Sequence, residues 1–412
     1  MPLPPDPPAE PKRILVVRNR FIGDTMLAIP FLRNLRRRFP DAVIDVLVES
    51  GSVAMLADCP YTNELMVWRR PPRVGRVVSG SIANVLASAH WIRTRGYDRA
   101  YLLKRSLSSV LLVWWAGIPQ RIGFVSQCLT PLLTRAVPLG RHRHQSQVFL
   151  DLLRGEGIPV DDGHNENWAS APAVAKVDAL LAGAPAGRAR VFLAPCSTDV
   201  NRQWPLERMA QVVDWLVRDR GCEIFLCGSP EDAREHATIH SLVTAEVSSH
   251  IHDHSSALSL QEAGALLARM DLCIGVDTGL PHIAASFGVP VVVLAGPTDP
   301  NRWHPWCTDH EVVKAQPTGR ARLGRTIRSW LGAKSAGLRW PAEPAPMRGI
   351  AVEQVIAAVA RLLDRVAAPK AAAPRPTLRT VDLRKGSHRY ELYASPPRAA
   401  AVPATKPLAH AH

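Results

Sequence analysis

From residue 14 to residue 295, short runs of β-branched and apolar residues alternate with stretches of helical spacing. The runs are ILVVR (14–18), VIDVLVE (43–49), RAYLL (99–103), RVFLA (190–194), CEIFLC (222–227), DLCIGV (271–276) and PVVVLA (290–295). Strands separated by helices pair in parallel through right-handed crossovers, so this pattern restricts the chain to an α/β fold with parallel sheets. Its 412 residues suffice for two or three domains. Turn-forming residues around one short helical stretch, near 159–190, mark a boundary. The expected division is a structureless 1–11, a domain over 12–165, a linker at 166–189 and a second domain over 190–312. A basic insert (313–348), a helix (349–366) and a disordered basic tail (367–412) follow.

The formal net charge of +14 raises the question of nucleic-acid binding. Its location argues against that partner. Residues 314–348 hold eight Lys/Arg and one acid, and residues 370–412 hold eight Lys/Arg and two acids. Residues 1–313 carry 32 basic and 31 acidic side chains and are nearly neutral. The basic quarter lacks a regular interleaving of basic and aromatic residues. Attraction to an anionic lipid surface is the simpler use of this charge. Seven scattered cysteines without a C-x-x-C pair fit a reducing compartment with buried thiols. The longest nearly uncharged apolar run, 107–119, is too short to span a bilayer, and the start of the chain lacks the pattern of a secretory signal. Both point to the cytoplasm. Trp114 and Trp115 are expected in the core, and the His pairs 142/144 and 252/254 at surface or hinge positions.

The phosphate-binding loop of nucleotide triphosphatases is missing, as are the dinucleotide fingerprint, H-E-x-x-H, G-x-S-x-G and D-x-D. Three other sites carry chemistry. In RNRFIGDT (18–25), Gly23-Asp24 opens the first helix at the carboxyl end of a strand, where ligands of parallel α/β domains gather. From position alone Asp24 is either a helix cap or a base that takes a proton from an attacking hydroxyl. In FLAPCSTDVNRQWPLERM (192–209), Ser197, Thr198 and Arg202 line a loop suited to a diphosphate, or an ordinary turn. Cys196 has no partner that would make it a nucleophile. In GVDTGLPHIAASFGVPVVVLAGPTDP (275–300), Asp277, Thr278, Gly279 and His282 bring a hydroxyl, backbone amides and a helix N-terminus to one anion-sized spot.

Together these motifs resemble the bacterial lipopolysaccharide heptosyltransferases, glycosyltransferase family 9, which have the GT-B fold. The matching segments are 14–49, NRQWPLERMA (201–210) and VDTGLPHIAASFGVPVVVLAGPTDP (276–300), spread over most of residues 12–306. The resemblance implies two Rossmann-like domains facing a cleft, with the acceptor on the first and ADP-heptose, a co-substrate, on the second. It makes Asp24 the general base of an inverting, metal-independent transfer. Ser197, Thr198 and Arg202 then hold the diphosphate, Arg202 standing where the family usually has Lys. Asp277, Thr278, Gly279 and His282 hold donor sugar and phosphates, and Glu231 or Asp232 reaches the ribose. Arg18, Gly23, Lys104 and Arg105 fall on the acceptor side. No metal ligand and no cofactor are expected. The implied partners are a nucleotide sugar, an anionic glycolipid acceptor and the inner face of the inner membrane. Competing readings are a same-fold transferase with another nucleotide-diphosphate sugar or surface glycan, a non-catalytic nucleotide-sugar binder, and a nucleic-acid-binding protein.

Overall fold

The computed structural model describes residues 10–18, 22–68, 81–126, 130–140, 143–185, 187–296, 298–314, 346–367, 377–381 and 390–394. Six strands make the first sheet: β1 (Arg13–Val17), β2 (Val43–Glu49), β3 (Glu64–Trp68), β4 (Arg99–Leu102), β5 (Gln120–Phe124) and β6 (Arg135–Val137). Six more make the second: β7 (Arg190–Ala194), β8 (Glu223–Leu226), β9 (Ile251–Asp253), β10 (Leu272–Val276), β11 (Val291–Ala295) and β12 (His310–Lys314). Every pairing in both sheets is parallel. The first runs β3-β2-β1-β4-β5-β6 and the second β12-β11-β10-β7-β8-β9. Counted from its own first strand, each sheet has the order 3-2-1-4-5-6. The chain thus repeats one doubly wound topology, as the strand–helix alternation predicts.

In this order the winding reverses between the first and fourth strands, and the loops leaving those two strands diverge to open a crevice at their carboxyl ends. The crevice lies after β1 and β4 in the first half, and after β7 and β10 in the second. The three chemistry-bearing segments of the sequence occupy three of these four places.

β3, β5, β6, β9 and β12 are absent from the sequence reading. Four of them are the sheet edges. Edge strands have one pairing partner and tolerate charge and brevity, as in RAV (135–137), IHD (251–253) and HEVVK (310–314). β5, QRIGF, carries Gly123 and a polar start. After β1 the expected single helix is two, Ile22–Met26 and Ile29–Arg38, because Pro30 opens a new first turn.

Helices cover both sheets. Ile29–Arg38 and Gln145–Arg154 bury Phe31, Leu32, Phe149 and Leu153 in a core that continues through Trp168 and Val177 into Phe192, Ile283 and Val291 of the second half. The helix Ala171–Leu181, within the expected linker, joins that core and packs on the helix Leu260–Leu267. It starts at Ser170, whose hydroxyl accepts from the Ala173 N–H. On the opposite face of the second sheet, Leu206–Arg218 presents Met209, Val212, Val213 and Leu216 at helical spacing. The last long helix, Val352–Ala367, adds Val355, Val359 and Leu362 to the same cluster. Trp204 is fully buried there and donates from its indole N–H to the Ile350 carbonyl, 3.2 Å away. The opposite face of the first sheet carries the helices Ser81–Arg93 and Leu107–Trp115.

Trp114 departs from the core position expected for it and is 44% exposed. His144 departs in the other direction: it is buried, caps the helix Gln145–Arg154 and lies between the two halves. The thiols of Cys59, Cys222, Cys227 and Cys273 are buried, as expected, while Cys307 is exposed. Lys314 ends β12, and residues 315–345 of the basic insert lie outside the described residues. Within 367–412, two strands, β13 (Thr377–Val381) and β14 (Tyr390–Ala394), pair antiparallel where a structureless tail is expected; most of that segment is outside the described residues. Among the described residues no helix is long and apolar enough to cross a membrane.

Candidate functional site

The two crevices meet. The helix Ile22–Met26, after β1, packs on the helix Gly279–Ser286, after β10. The approach needs glycine on both sides. A Cβ on Gly23 would lie 3.0 Å from His282 Cδ2, and one on Gly279 would lie 3.2 Å from Ile22 Cγ2.

On the first-half side, Asp24 sits in the first turn of its helix. One carboxylate oxygen, Oδ2, pairs with the Arg18 guanidinium, which also donates from Nε to the Asp24 carbonyl at 3.4 Å. The other, Oδ1, is buried and meets no hydrogen-bond partner among the described residues. Arg18 is only 4% exposed, with its guanidinium over the Phe149 ring. Arg18, expected on the acceptor side, thus holds Asp24. Gly23 likewise faces His282. Lys104 and Arg105 follow β4 at the neighbouring carboxyl end, Arg105 exposed and Lys104 half-buried.

On the second-half side, Asp277 is buried just beyond β10. Arg202, from the loop after β7, donates to the Asp277 carbonyl at 3.2 Å and places the same nitrogen 3.7 Å from its carboxylate. His282 Nε2 stands 3.8 Å from the other carboxylate oxygen, near enough for charge attraction but too far for a hydrogen bond. Burial by itself would raise the Asp277 pKa; His282, Thr298 and Arg202 outweigh it and hold the carboxyl below its ordinary range. His282 Nδ1 is buried without a partner among the described residues. Thr278 precedes the helix in extended backbone, its hydroxyl on the Val276 carbonyl. In the loop after β7, Ser197 accepts from the Asp199 N–H at 3.2 Å and Thr198 is exposed. Glu231, after β8, is exposed, whereas Asp232 is engaged in a cap with Ser229 beside Cys196. Burial, with nearby acids, pushes the Cys196 thiol far up and keeps it protonated.

Other residues at the junction lack a motif. Arg302 follows the turn after β11 and donates from Nε to Gln145 Oε1 at 2.7 Å, across the halves. Burial lowers its pKa and so does the like charge of Arg105, against the opposite charges of Asp24 and Asp299. His144 accepts the Ser146 N–H at Nδ1 and donates from Nε2 to the His304 carbonyl at 3.0 Å. Its ring stacks on Trp306 at 4.2 Å, and burial, with His304, pushes its pKa down to about 3. Trp306 donates to the Gly163 carbonyl at 2.7 Å. A His directly before a helical pattern is the one signal that points to His144 as a cap. Arg302 and Gln145 carry none, because only the meeting of the halves pairs them.

Where the two crevices meet, a carboxylate on one side and a guanidinium and helix N-terminus on the other suit transfer from an anionic leaving group. Among the described residues no three His, Cys, Asp or Glu side chains gather as a metal site. The sequence profile described as glycosyltransferase family 9 (heptosyltransferase) matches residues 85–327. Lipopolysaccharide heptosyltransferase 2 of Escherichia coli (strain K12) is 26% identical over 323 residues, covering 73% of this chain and 88% of that protein. Lipopolysaccharide heptosyltransferase 3 of Escherichia coli is 27% identical over 294 residues, covering 70% and 84%. Among solved structures, a family 9 glycosyl transferase of Veillonella parvula superposes with a TM-score of 0.70 at 22% identity, covering 86% of this chain and 97% of that one. The E. coli ADP-heptose lps heptosyltransferase II gives 0.64 at 23%, covering 86% and 100%.

Proposed function

This chain belongs to glycosyltransferase family 9, the heptosyltransferase family, and on that premise we propose that it moves heptose from ADP-heptose to a lipopolysaccharide core acceptor in one inverting displacement. The observation that carries the assignment of roles is Asp24 beside the helix that begins at Gly279, its Oδ2 held by Arg18 and its Oδ1 without a partner among the described residues.

The donor diphosphate lies against Arg202, the Ser197 and Thr198 hydroxyls and the first amides of Gly279–Ser286. The sugar lies toward Asp277 and His282, and the ribose toward Glu231. The acceptor enters from the side of Lys104 and Arg105. Its hydroxyl oxygen attacks the anomeric carbon while its proton passes to Asp24 Oδ1. The bond from that carbon to the β-phosphate oxygen breaks with the electron pair on ADP. Products are the glycoside with inverted configuration, ADP and a protonated Asp24, which returns its proton to solvent. Negative charge grows on the β-phosphate as the bond breaks, where the Arg202 guanidinium and helix amides need no rearrangement to receive it. The chemistry is complete without a metal. Arg18 is a positioning residue that fixes which Asp24 oxygen faces the hydroxyl. The enzyme works on the inner face of the inner membrane, where a lipid-anchored acceptor is available.

The direct test is ADP release from a panel of nucleotide sugars, ADP-heptose included, with a heptose-deficient lipopolysaccharide core as acceptor and with excess chelator in a parallel series. Transfer of heptose with inversion, undiminished by chelator, is expected. Failure of every nucleotide sugar to bind would overturn the proposal, and chelator-sensitive transfer would remove its metal-free part.

A further inference from the structure

Six of the seven large hydrophobic side chains exposed among the described residues lie between residues 67 and 125. Four of them, Leu86, Trp91, Leu107 and Trp114, stand on Ser81–Arg93 and Leu107–Trp115. These helices pack against each other and against the same face of the first sheet through Val85, Ala89, Ile92, Val110, Leu112 and Val113. Their exposed sides therefore point away from it. In the second helix Leu107 and Trp114 are exposed at i and i+7 on its outward side, with the half-buried Leu111 between them packing back on the core, and no residue from 107 to 115 is charged.

The repeated topology supplies an internal control. The helices at equivalent places in the second half are Leu260–Leu267 and Gly279–Ser286. The first is covered by Ala171–Leu181 and the second by Ile22–Met26. The first-half pair has no such cover among the described residues. Residues 81–126 hold six Lys/Arg, of which Arg95 pairs with Glu64 and Arg99 with Glu156, against one acid of their own. That acid, Asp98, is turned to the backbone N–H groups of Lys12 and Arg13. Arg93 and Arg105 are exposed at opposite ends of the helix Leu107–Trp115, and the Arg95 guanidinium lies over the Trp91 ring at 4.8 Å.

We propose that this two-helix face is the surface by which the enzyme docks on an anionic bilayer, with Trp91, Trp114, Leu107 and Leu86 entering the interfacial layer and Arg93 and Arg105 meeting lipid phosphates. Tryptophan suits that depth because its ring is apolar and its N–H is polar. An apolar face flanked by the exposed Arg93 and Arg105 matches an anionic membrane in both chemistry and charge. Leu107 lies two residues past Arg105, at the lip of the cleft. Docking there sets the acceptor entrance against the leaflet that carries a lipid-anchored substrate; this orientation rests on the function proposed above, while the docking itself does not.

The test is sedimentation of the full chain with vesicles of phosphatidylglycerol and phosphatidylethanolamine, and separately with phosphatidylcholine alone, at low and high salt. The wild type is compared with Leu107→Glu/Trp114→Glu and with the milder Leu107→Ser/Trp114→Ser. Both variants are expected to bind anionic vesicles about ten-fold or more weakly. ADP binding and thermal melting should stay unchanged, which shows that the fold is intact. A residual wild-type binding at high salt, lost in the variants, reports the apolar part. Equal binding of wild type and folded variants would overturn the proposal and leave attraction to the basic C-terminal quarter. A dimeric wild type with monomeric variants would overturn it in favour of a second copy. Because neither donor nor acceptor is present, failure here leaves the catalytic reading standing, and absence of transfer leaves this one.

Discussion

The two halves share one strand order and do different work. The first half brings Asp24 and Arg18 to its switch point and leaves the outer side of two helices uncovered among the described residues. The second brings Arg202, Asp277 and His282 to the same place, and its equivalent helices are covered. A doubly wound sheet thus fixes where a site can lie, while the loops after its first and fourth strands determine which chemistry is found there. One half presents a clamped carboxylate at the junction; the other presents a guanidinium, a buried aspartate and a helix N-terminus.

That division breaks first at Asp24. Asp24→Ala is expected to lower turnover by about 10²–10⁴-fold while ADP affinity changes little. Steady-state kinetics alongside calorimetry with ADP checks this, and a comparable loss of ADP affinity would move Asp24 into the donor site. The second half should break structurally at Trp204. Trp204→Ala removes a fully buried ring and its bond to Ile350, costing about 3–5 kcal/mol, and should release the helix Val352–Ala367 before it disturbs the first sheet. Denaturant unfolding followed by hydrogen exchange resolves the order. Arg202→Ala should raise the donor KM by about 10–100-fold, with Arg202→Lys recovering part of it, since a charge-assisted hydrogen bond is worth about 1.5–3 kcal/mol. An unchanged donor KM would remove Arg202 from the diphosphate.

Acid should separate the halves more gently. In the second, Asp277 and Glu223 are held below their ordinary range although burial pushes both up: neighbouring side chains outweigh it, with His252 and His250 doing so at Glu223. Such groups add stability that is present above the unfolded pKa and lost as pH falls through the lower folded one. In the first, burial raises the Asp45 pKa, so its unfavourable contribution is relieved on acidification. Hydrogen exchange below about pH 5 should show the second sheet loosening first. Loss of protection in the first sheet ahead of the second would contradict this assignment.

The sequence discloses the interior of this fold well and its margins poorly. Runs such as PVVVLA are apolar because both faces are covered, and they announce themselves; HEVVK and IHD lie at edges, where charge is harmless. Asp24, Arg202 and Asp277 were legible as candidates because each stands between the carboxyl end of a strand and the next long helix. Arg18, by contrast, reads as one more basic residue on the acceptor side until burial and its pairing with Asp24 are seen. Trp114 misled because an uncharged helix is as apolar when bare as when buried. His144 misled because contacts between distant segments, here with His304 and Trp306, leave no local period.

Gly23 and Gly279 give the cleft its gauge. A methyl at Gly23 would press on the His282 ring and one at Gly279 on the Ile22 side chain, each of which must yield by a few tenths of an ångström, so either substitution is felt first where the two halves touch.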